Sequence, residues 1–223
     1  DCKAAEKKLV KAASKVYKKF LASCPAPDAP GSKQVAALMT ITGLIDAPKA
    51  DKEFLSINGA QGFSTFYGYY MLEAMATAGN YQGALDVIRE YWGAMIDLGA
   101  TSFWEDFDIN WIPNAAPIDE LVPEGKKDIH GDCGAYCYVG FRHSLCHGWA
   151  SGPTSWLSRH ILGVEVIEPG CRQVRITPHL GDLKWVKGTF PTPYGEIQIY
   201  HEKQANGNVI SEVKAPKGVS VIK

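Results

Sequence analysis

Between Gly99 and Asp108 the chain reads Gly-Ala-Thr-Ser-Phe-Trp-Glu-Asp-Phe-Asp, which sets Glu105, Asp106 and Asp108 among Phe103, Trp104 and Phe107. A carboxylate partly desolvated by indole and phenyl rings has its pKa raised toward the range useful for general acid/base work. Aromatic faces also stack on the apolar faces of sugar rings, so the mixture suits carbohydrate chemistry. The plainer alternative is a loop whose aromatics plug the core while the acids face water. Further on lies Arg142-His143-Ser144-Leu145-Cys146-His147-Gly148-Trp149-Ala150-Ser151-Gly152-Pro153. It can bring His147 to a ligand hydroxyl, against the alternative of a structural histidine.

His130, Cys133, Cys137, His143, Cys146 and His147 fall within eighteen residues and raise the question of zinc. Zinc favours close pairs such as C-x2-C. Here Cys133 and Cys137 have three residues between them, no second regular pair exists, and Cys146 and His147 are adjacent. No metal is therefore expected, and the cysteines read as a disulfide or as buried thiols according to compartment. Adjacency also argues against Cys146 and His147 as a nucleophile and base. The sequence has no Walker loop, dinucleotide fingerprint, nucleophile elbow or HExxH, and no cofactor is expected.

The elements that would position these residues are mostly helical. Residues 3–19 carry seven Lys and one Glu, with Leu9, Ala13, Val16, Tyr17 and Phe20 at helical spacing. That pattern predicts an amphipathic helix with a basic outer face. It stops at Ser23-Cys24-Pro25-Ala26-Pro27, where proline lacks the helical N–H. Ser32 caps a second helix running to about Ile45. Helices at 64–78 and 81–98, joined by Gly79-Asn80, must form an antiparallel hairpin. The first, with Phe66, Tyr67, Tyr69, Tyr70, Met71, Leu72 and Met75, is apolar all round and reads as buried on several sides. The second shows one stripe, Leu85, Ile88, Trp92 and Met95 or Ile96, with Asp86, Arg89 and Glu90 off it. An inner helix paired with an outer one is the repeat unit of helical-hairpin barrels.

Periodicity disappears from Gly99 to about Gly152, and long loops of this kind are commonly functional. A short helix at 154–162 follows. Residues 172–177, 184–190, 195–201, 208–213 and 218–222 then read as short strands of an antiparallel β-domain, with Asn206-Gly207 as a type I′ hairpin signal. The boundary is placed at Gly163, giving a helical domain over 1–162 and a β-domain over 163–223.

Composition excludes some partners. With 23 Lys+Arg against 24 Asp+Glu, and no dense basic stripe, the chain is a poor binder of nucleic-acid phosphates. No run of about 18 apolar residues exists to span a membrane. The opening Asp1-Cys2-Lys3 has neither an initiator Met nor a signal-peptide core and reads as a processed or truncated end.

Gly-Ala-Thr-Ser-Phe-Trp-Glu at 99–105 resembles the G-A-T-[TS]-x-W-E motif of the inverting α-L-rhamnosidase family of glycoside hydrolases. Ser32-Lys33-Gln34-Val35-Ala36 looks like that family's S-x-Q-x-A helix opening. Gly62-Phe63-Ser64-Thr65-Phe66-Tyr67 through Gly79-Asn80-Tyr81 resembles its next hairpin. Ser144-Leu145-Cys146-His147-Gly148-Trp149-Ala150 is similar to its N-S-x-x-H-x-W segment. Glu168-Pro169-Gly170, Arg175-Ile176-Thr177-Pro178, Gly181-Asp182-Leu183 and Pro191-Thr192-Pro193-Tyr194-Gly195 resemble the opening of its C-terminal β-sandwich.

The resemblance implies an α+β multidomain chain, the C-terminal part of an (α/α)6 barrel followed by an antiparallel β-sandwich. The implied activity is hydrolysis of terminal α-L-rhamnosyl groups with inversion. Glu105 maps to the general base and His147 to a rhamnose contact, with Trp104 and Trp149 as pocket walls. About five helices are present where the barrel needs twelve, and no residue matches the family's general acid. The expected partners are therefore a rhamnose-containing saccharide and a preceding part of the same polypeptide. The compartment expected is the bacterial periplasm or the exterior. Two other readings stay open: a non-catalytic carbohydrate-binding module, and a six-hairpin glycosidase of other sugar specificity.

Overall fold

The computed structural model describes residues 32–129 and 144–222, with Lys8, Lys11, Ala12 and Lys15 ahead of them. Those four are helical and exposed, as a basic outer face requires; the rest of the N-terminal helix, its Pro-rich stop and the segment His130–His143 lie outside the described residues.

Helix α1, Lys33–Ile41, starts where the Ser32 hydroxyl accepts the Val35 N–H at 3.3 Å. It ends four residues earlier than its apolar pattern suggested, because Gly43 takes a left-handed φ of 72°. Helix α2, Ala47–Ala50, is capped by Asp46 and continues as a widened turn over Asp51–Leu55. Helix α3, Gly68–Thr77, begins later than expected. A Cβ on Gly68 would sit 2.7 Å from the Trp92 ring, so only glycine allows the two helices this approach. Helix α4, Tyr81–Asp97, is capped by Asn80, whose side chain accepts the Gly83 N–H at 2.9 Å.

The apolar stripe of α4 is buried through Leu85, Trp92 and Met95, while Ile96 points to solvent. On α3, Met71, Leu72 and Met75 are buried, but Tyr69 and Tyr70 are only partly covered and the preceding Phe66 and Tyr67 are exposed. The helix is thus not buried all round; its aromatic end faces outward. Helix α5, Gly152–Trp156, widens into a π-type turn over Leu157–Ile161. Its Trp156 indole donates to the Leu72 carbonyl at 3.0 Å, and Trp92 donates to Ala150 at 2.9 Å. These buried donors tie the stretch around 150–156 to the α3–α4 hairpin.

The region between α4 and α5 is not wholly irregular: it holds a short 3-10 turn, Ile109–Trp111, and the two-residue strands β1, Ala115–Ala116, and β2, Lys127–Asp128, paired in parallel. Strands β3, Val164–Val166, β4, Gln173–Ile176, and β8, Ser220–Ile222, form one sheet in the order β3-β4-β8. Strands β5, Trp185–Thr192, β6, Gly195–Lys203, and β7, Val209–Lys214, form the other. Within these two sheets pairing is antiparallel except between β4 and β8, which run parallel. The two sheets share a core of Val164, Val174, Ile176, Ile197 and Ile199.

The β6–β7 connection is not the two-residue type expected. Gly207 N–H bonds the Gln204 carbonyl at 2.9 Å and Gly207 has φ 86°, while Asn206 is not left-handed. A type I′ turn needs positive φ at both central residues, so this is a longer loop ending on a left-handed glycine.

The β-part is fixed to the helices by side chains. Arg89 on α4 grips Asp182 with two bonds of 2.9 and 2.8 Å, and Tyr81 stacks on His179 at 3.7 Å and 5°. The Arg89 guanidinium holds the Asp182 carboxyl below its ordinary pKa.

Candidate functional site

Glu105 follows the C-terminal end of α4 by way of Gly99 (φ 90°) and is held by a short ladder to the segment before α5. Its N–H bonds the Ser144 carbonyl at 2.8 Å, and the His147 N–H bonds the Phe103 carbonyl at 2.7 Å. The Ser144 N–H donates at 2.9 Å to Glu105 Oε2. The same oxygen lies 3.9 Å from His147 Nδ1. Two further donors hold the Glu105 backbone carbonyl: the Thr65 hydroxyl at 2.5 Å and the Trp149 indole N–H at 2.7 Å. The carboxylate side chain is 15% exposed and the imidazole 33%. Burial and the fixed Ser144 N–H help set this acid's position.

Glu105 and Trp149 face a cleft of about 400 Å³, along with Gln34, Thr65, Phe66, Tyr67, Asp106, Asp108 and Trp111. The cleft is lined by both carboxylates and aromatic rings. Trp149 is 45% exposed, 5.7 Å from the Phe66 ring and 4.2 Å from the His147 ring. The sequence pair Glu105 and His147, 42 positions apart, is thus brought together in space, with Trp149 beside both.

Trp104 is placed differently. It is 0% exposed, packs edge-on against Phe107 at 5.9 Å, and belongs to the main core. Its indole N–H has no hydrogen-bond partner among the described residues. It stands behind the cleft rather than on its wall. Phe107 is buried as well, so both readings of the aromatic loop hold in part: Trp104 and Phe107 plug the core while the acids line the cleft.

Asp108 accepts from the Asn110 N–H at 2.9 Å and its side-chain amide at 2.7 Å. Asn110 in turn exchanges amide bonds with Gln61 at 3.2 and 3.0 Å, which pins the loop to the segment before α3. Tyr91 donates to the Phe107 carbonyl. Its pKa is pushed strongly up, by burial first and then by the charges of Asp106 and Asp108. Cys146 is exposed, and among the described residues no group of three or more His, Cys, Asp or Glu could hold a metal. No helix among the described residues is long and apolar enough to cross a membrane.

Thr65 and Ser144 are the positioning groups that residue types alone did not single out. Thr65 acts through a hydroxyl and Ser144 through a backbone N–H, which every non-proline residue carries.

Residues 163–222 match the family model of the bacterial alpha-L-rhamnosidase C-terminal domain. Most of the chain is similar to solved rhamnosidases. Against the GH78 family rhamnosidase of Bacillus sp. GL1 it is 26% identical, with a TM-score of 0.64 over 85% of this chain and 18% of that one. Against the α-L-rhamnosidase of Aspergillus terreus it is 19% identical, with a TM-score of 0.71 over 96% and 24%. Against the Streptomyces avermitilis α-L-rhamnosidase complexed with L-rhamnose the values are 17%, 0.68, 95% and 20%. The last two identities show a shared fold. No curated protein matches the chain. These 223 residues thus span about a fifth of the length of the structures they resemble, and they are similar to the C-terminal portion of α-L-rhamnosidases.

Proposed function

We propose that this chain supplies the general-base side of an α-L-rhamnosidase site, acting within a longer polypeptide. On this reading the helical part, residues 1–162, is the end of an (α/α)6 barrel, and residues 163–223 are a β-sandwich closing it. The observation that carries the reading is the Glu105 carboxylate: nearly enclosed, fixed by the Ser144 N–H, and within 3.9 Å of His147 at the edge of an aromatic cleft.

Inversion at a sugar needs one carboxylic acid to protonate the leaving oxygen and one carboxylate to deprotonate a water on the opposite face, about 6.5–9.5 Å away. Glu105 takes the water's proton as that water bonds to the anomeric carbon and the glycosidic bond breaks. The Ser144 N–H holds the carboxylate by Oε2 and so orients it toward the water. His147 donates to a hydroxyl of the sugar, and the Trp149 ring covers an apolar sugar face. Asp106 and Asp108 line the same cleft within three positions of Glu105, which does not suit an acid on the opposite sugar face, and on this reading the acid comes from the preceding part of the polypeptide.

The test is turnover of an aryl α-L-rhamnoside by the complete polypeptide and its Glu105→Gln variant. Loss of a general base lowers the rate by about 10²–10⁴-fold. Undiminished turnover by Glu105→Gln removes the assignment.

A further inference from the structure

The outward face of the β5–β6–β7 sheet has a composition that neither packing nor the cleft explains. Alternation along these strands turns Ile197 and Ile199 inward. The same alternation leaves Trp185 on β5 and Tyr200 on β6 on the outside. Trp185 is 60% exposed. The register sets Trp185 opposite Glu202 and Lys187 opposite Tyr200, so the two aromatics are diagonal neighbours. Their rings lie 6.5 Å apart and only 30° from parallel. The Tyr200 hydroxyl donates to Glu202 at 3.1 Å, which fixes the ring. Beside them runs an open cleft of about 730 Å³ bordered by Gln198, Glu212 and Lys214.

Large flat rings left in water on a pleated face make an apolar platform, and their polar neighbours give it a hydrogen-bonding rim. Lys187 and Lys214 share this side with Glu196, Glu202 and Glu212, so the face carries no positive excess to attract a polyanion. A pyranose chain has the complementary chemistry: C–H faces for the rings and hydroxyls for the amide, ammonium and carboxylate groups.

We propose that this sheet face is a carbohydrate-binding site for a neutral oligosaccharide, stacked on Trp185 and Tyr200 and separate from the Glu105 cleft. The site anchors a polymeric or branched glycan and does not depend on the catalytic assignment.

The experiment is calorimetric titration of the complete polypeptide with two neutral probes, an α-L-rhamnan pentasaccharide and cellopentaose, together with indole fluorescence. At least one probe binds the wild type and Glu105→Gln alike and shifts the emission to the blue. Trp185→Ala weakens that binding at least about ten-fold, the effect of losing one buried aromatic contact. Trp185→Phe keeps the affinity within a few-fold and loses the emission shift, which places the sugar on this residue. Equal titrations by wild type and Trp185→Ala overturn the proposal, as does the absence of heat with both probes. Failure here leaves the Glu105→Gln result standing, and the reverse holds too.

Discussion

At the scale of residues, the site depends on one backbone oxygen as much as on a carboxylate. The Glu105 carbonyl accepts from Thr65 and from Trp149, so both its lone pairs are engaged. Thr65 is buried, and Thr65→Val keeps its shape while deleting the donor. That change is expected to cost about 1 kcal/mol of unfolding free energy, the usual net worth of such a bond. Urea denaturation checks this, and Thr65→Ser should restore the loss. On the proposed function, turnover in Thr65→Val should fall through kcat more than KM, because the lost hydroxyl is bonded to the Glu105 carbonyl. Glu105, His147 and Trp149 were singled out in the sequence because their side-chain types can carry chemistry, and the fold brings the three together. Thr65 and Ser144 were not, since a hydroxyl or an N–H aimed at another residue leaves no pattern of its own. Trp104 illustrates the opposite limit: an aromatic beside an acid can serve cleft or core, and only packing decides.

At the scale of elements, α1, α3, α4 and α5 followed from apolar spacing, but α2 did not, and the ends followed from glycines and widened turns that spacing does not encode. The π-type stretches at Asp51–Leu55 and Leu157–Ile161 keep a helical pattern while shifting its phase. The aromatic start of α3 likewise reads as core by period, although its rings line clefts. Strand positions were legible to within a residue or two for β4 to β8. Three-residue β3 was missed because so short a run shows no alternation. The junction between α5 and β3 rests on Gly163. It has φ 73°, and a Cβ there would lie 2.3 Å from the Thr177 carbonyl carbon and 2.5 Å from the Pro178 nitrogen. Gly163→Ala therefore combines left-handed strain, about 1–2 kcal/mol, with a clash against backbone that cannot rotate away. We expect at least about 2 kcal/mol of destabilisation, read as a lower urea midpoint with an unchanged slope.

At the scale of the whole molecule, helices and sheets meet through polar contacts that depend on protonation. His201 is fully buried between the Ser211 hydroxyl, 2.7 Å from Nδ1, and the Leu162 carbonyl, 3.1 Å from Nε2. A carbonyl can only accept, so Nε2 carries the proton and Nδ1 receives the Ser211 O–H. The ring is thereby held neutral, and burial lowers its pKa; His179 in the joint is lowered as well, by burial and then by His160. The unfolded chain then binds more protons than the native one below the ordinary histidine pKa of about 6.5. Stability is fully present above that pH and is lost as pH falls beneath it. Denaturation midpoints measured from pH 8 to pH 5 should be flat and then decline, with a shallower decline in His201→Gln. A midpoint that rises on acidification contradicts this account.

The ladder joining 103–105 to 144–147 has a consequence for how much of the intervening chain can vary. Because the two rungs close a ring of backbone, the excursion from 106 to 143 begins and ends at points already fixed to each other. Its contour length is uncoupled from the coordinates of the carboxylate. Doubling a flexible loop adds only about 0.6 kcal/mol of closure entropy. The exposed segment 119–127 is thus a permissive place for insertion, whereas Phe107, Ala115, Ala116 and Ile129 are buried and hold their parts of the excursion to the core, and Glu105 stays where it is.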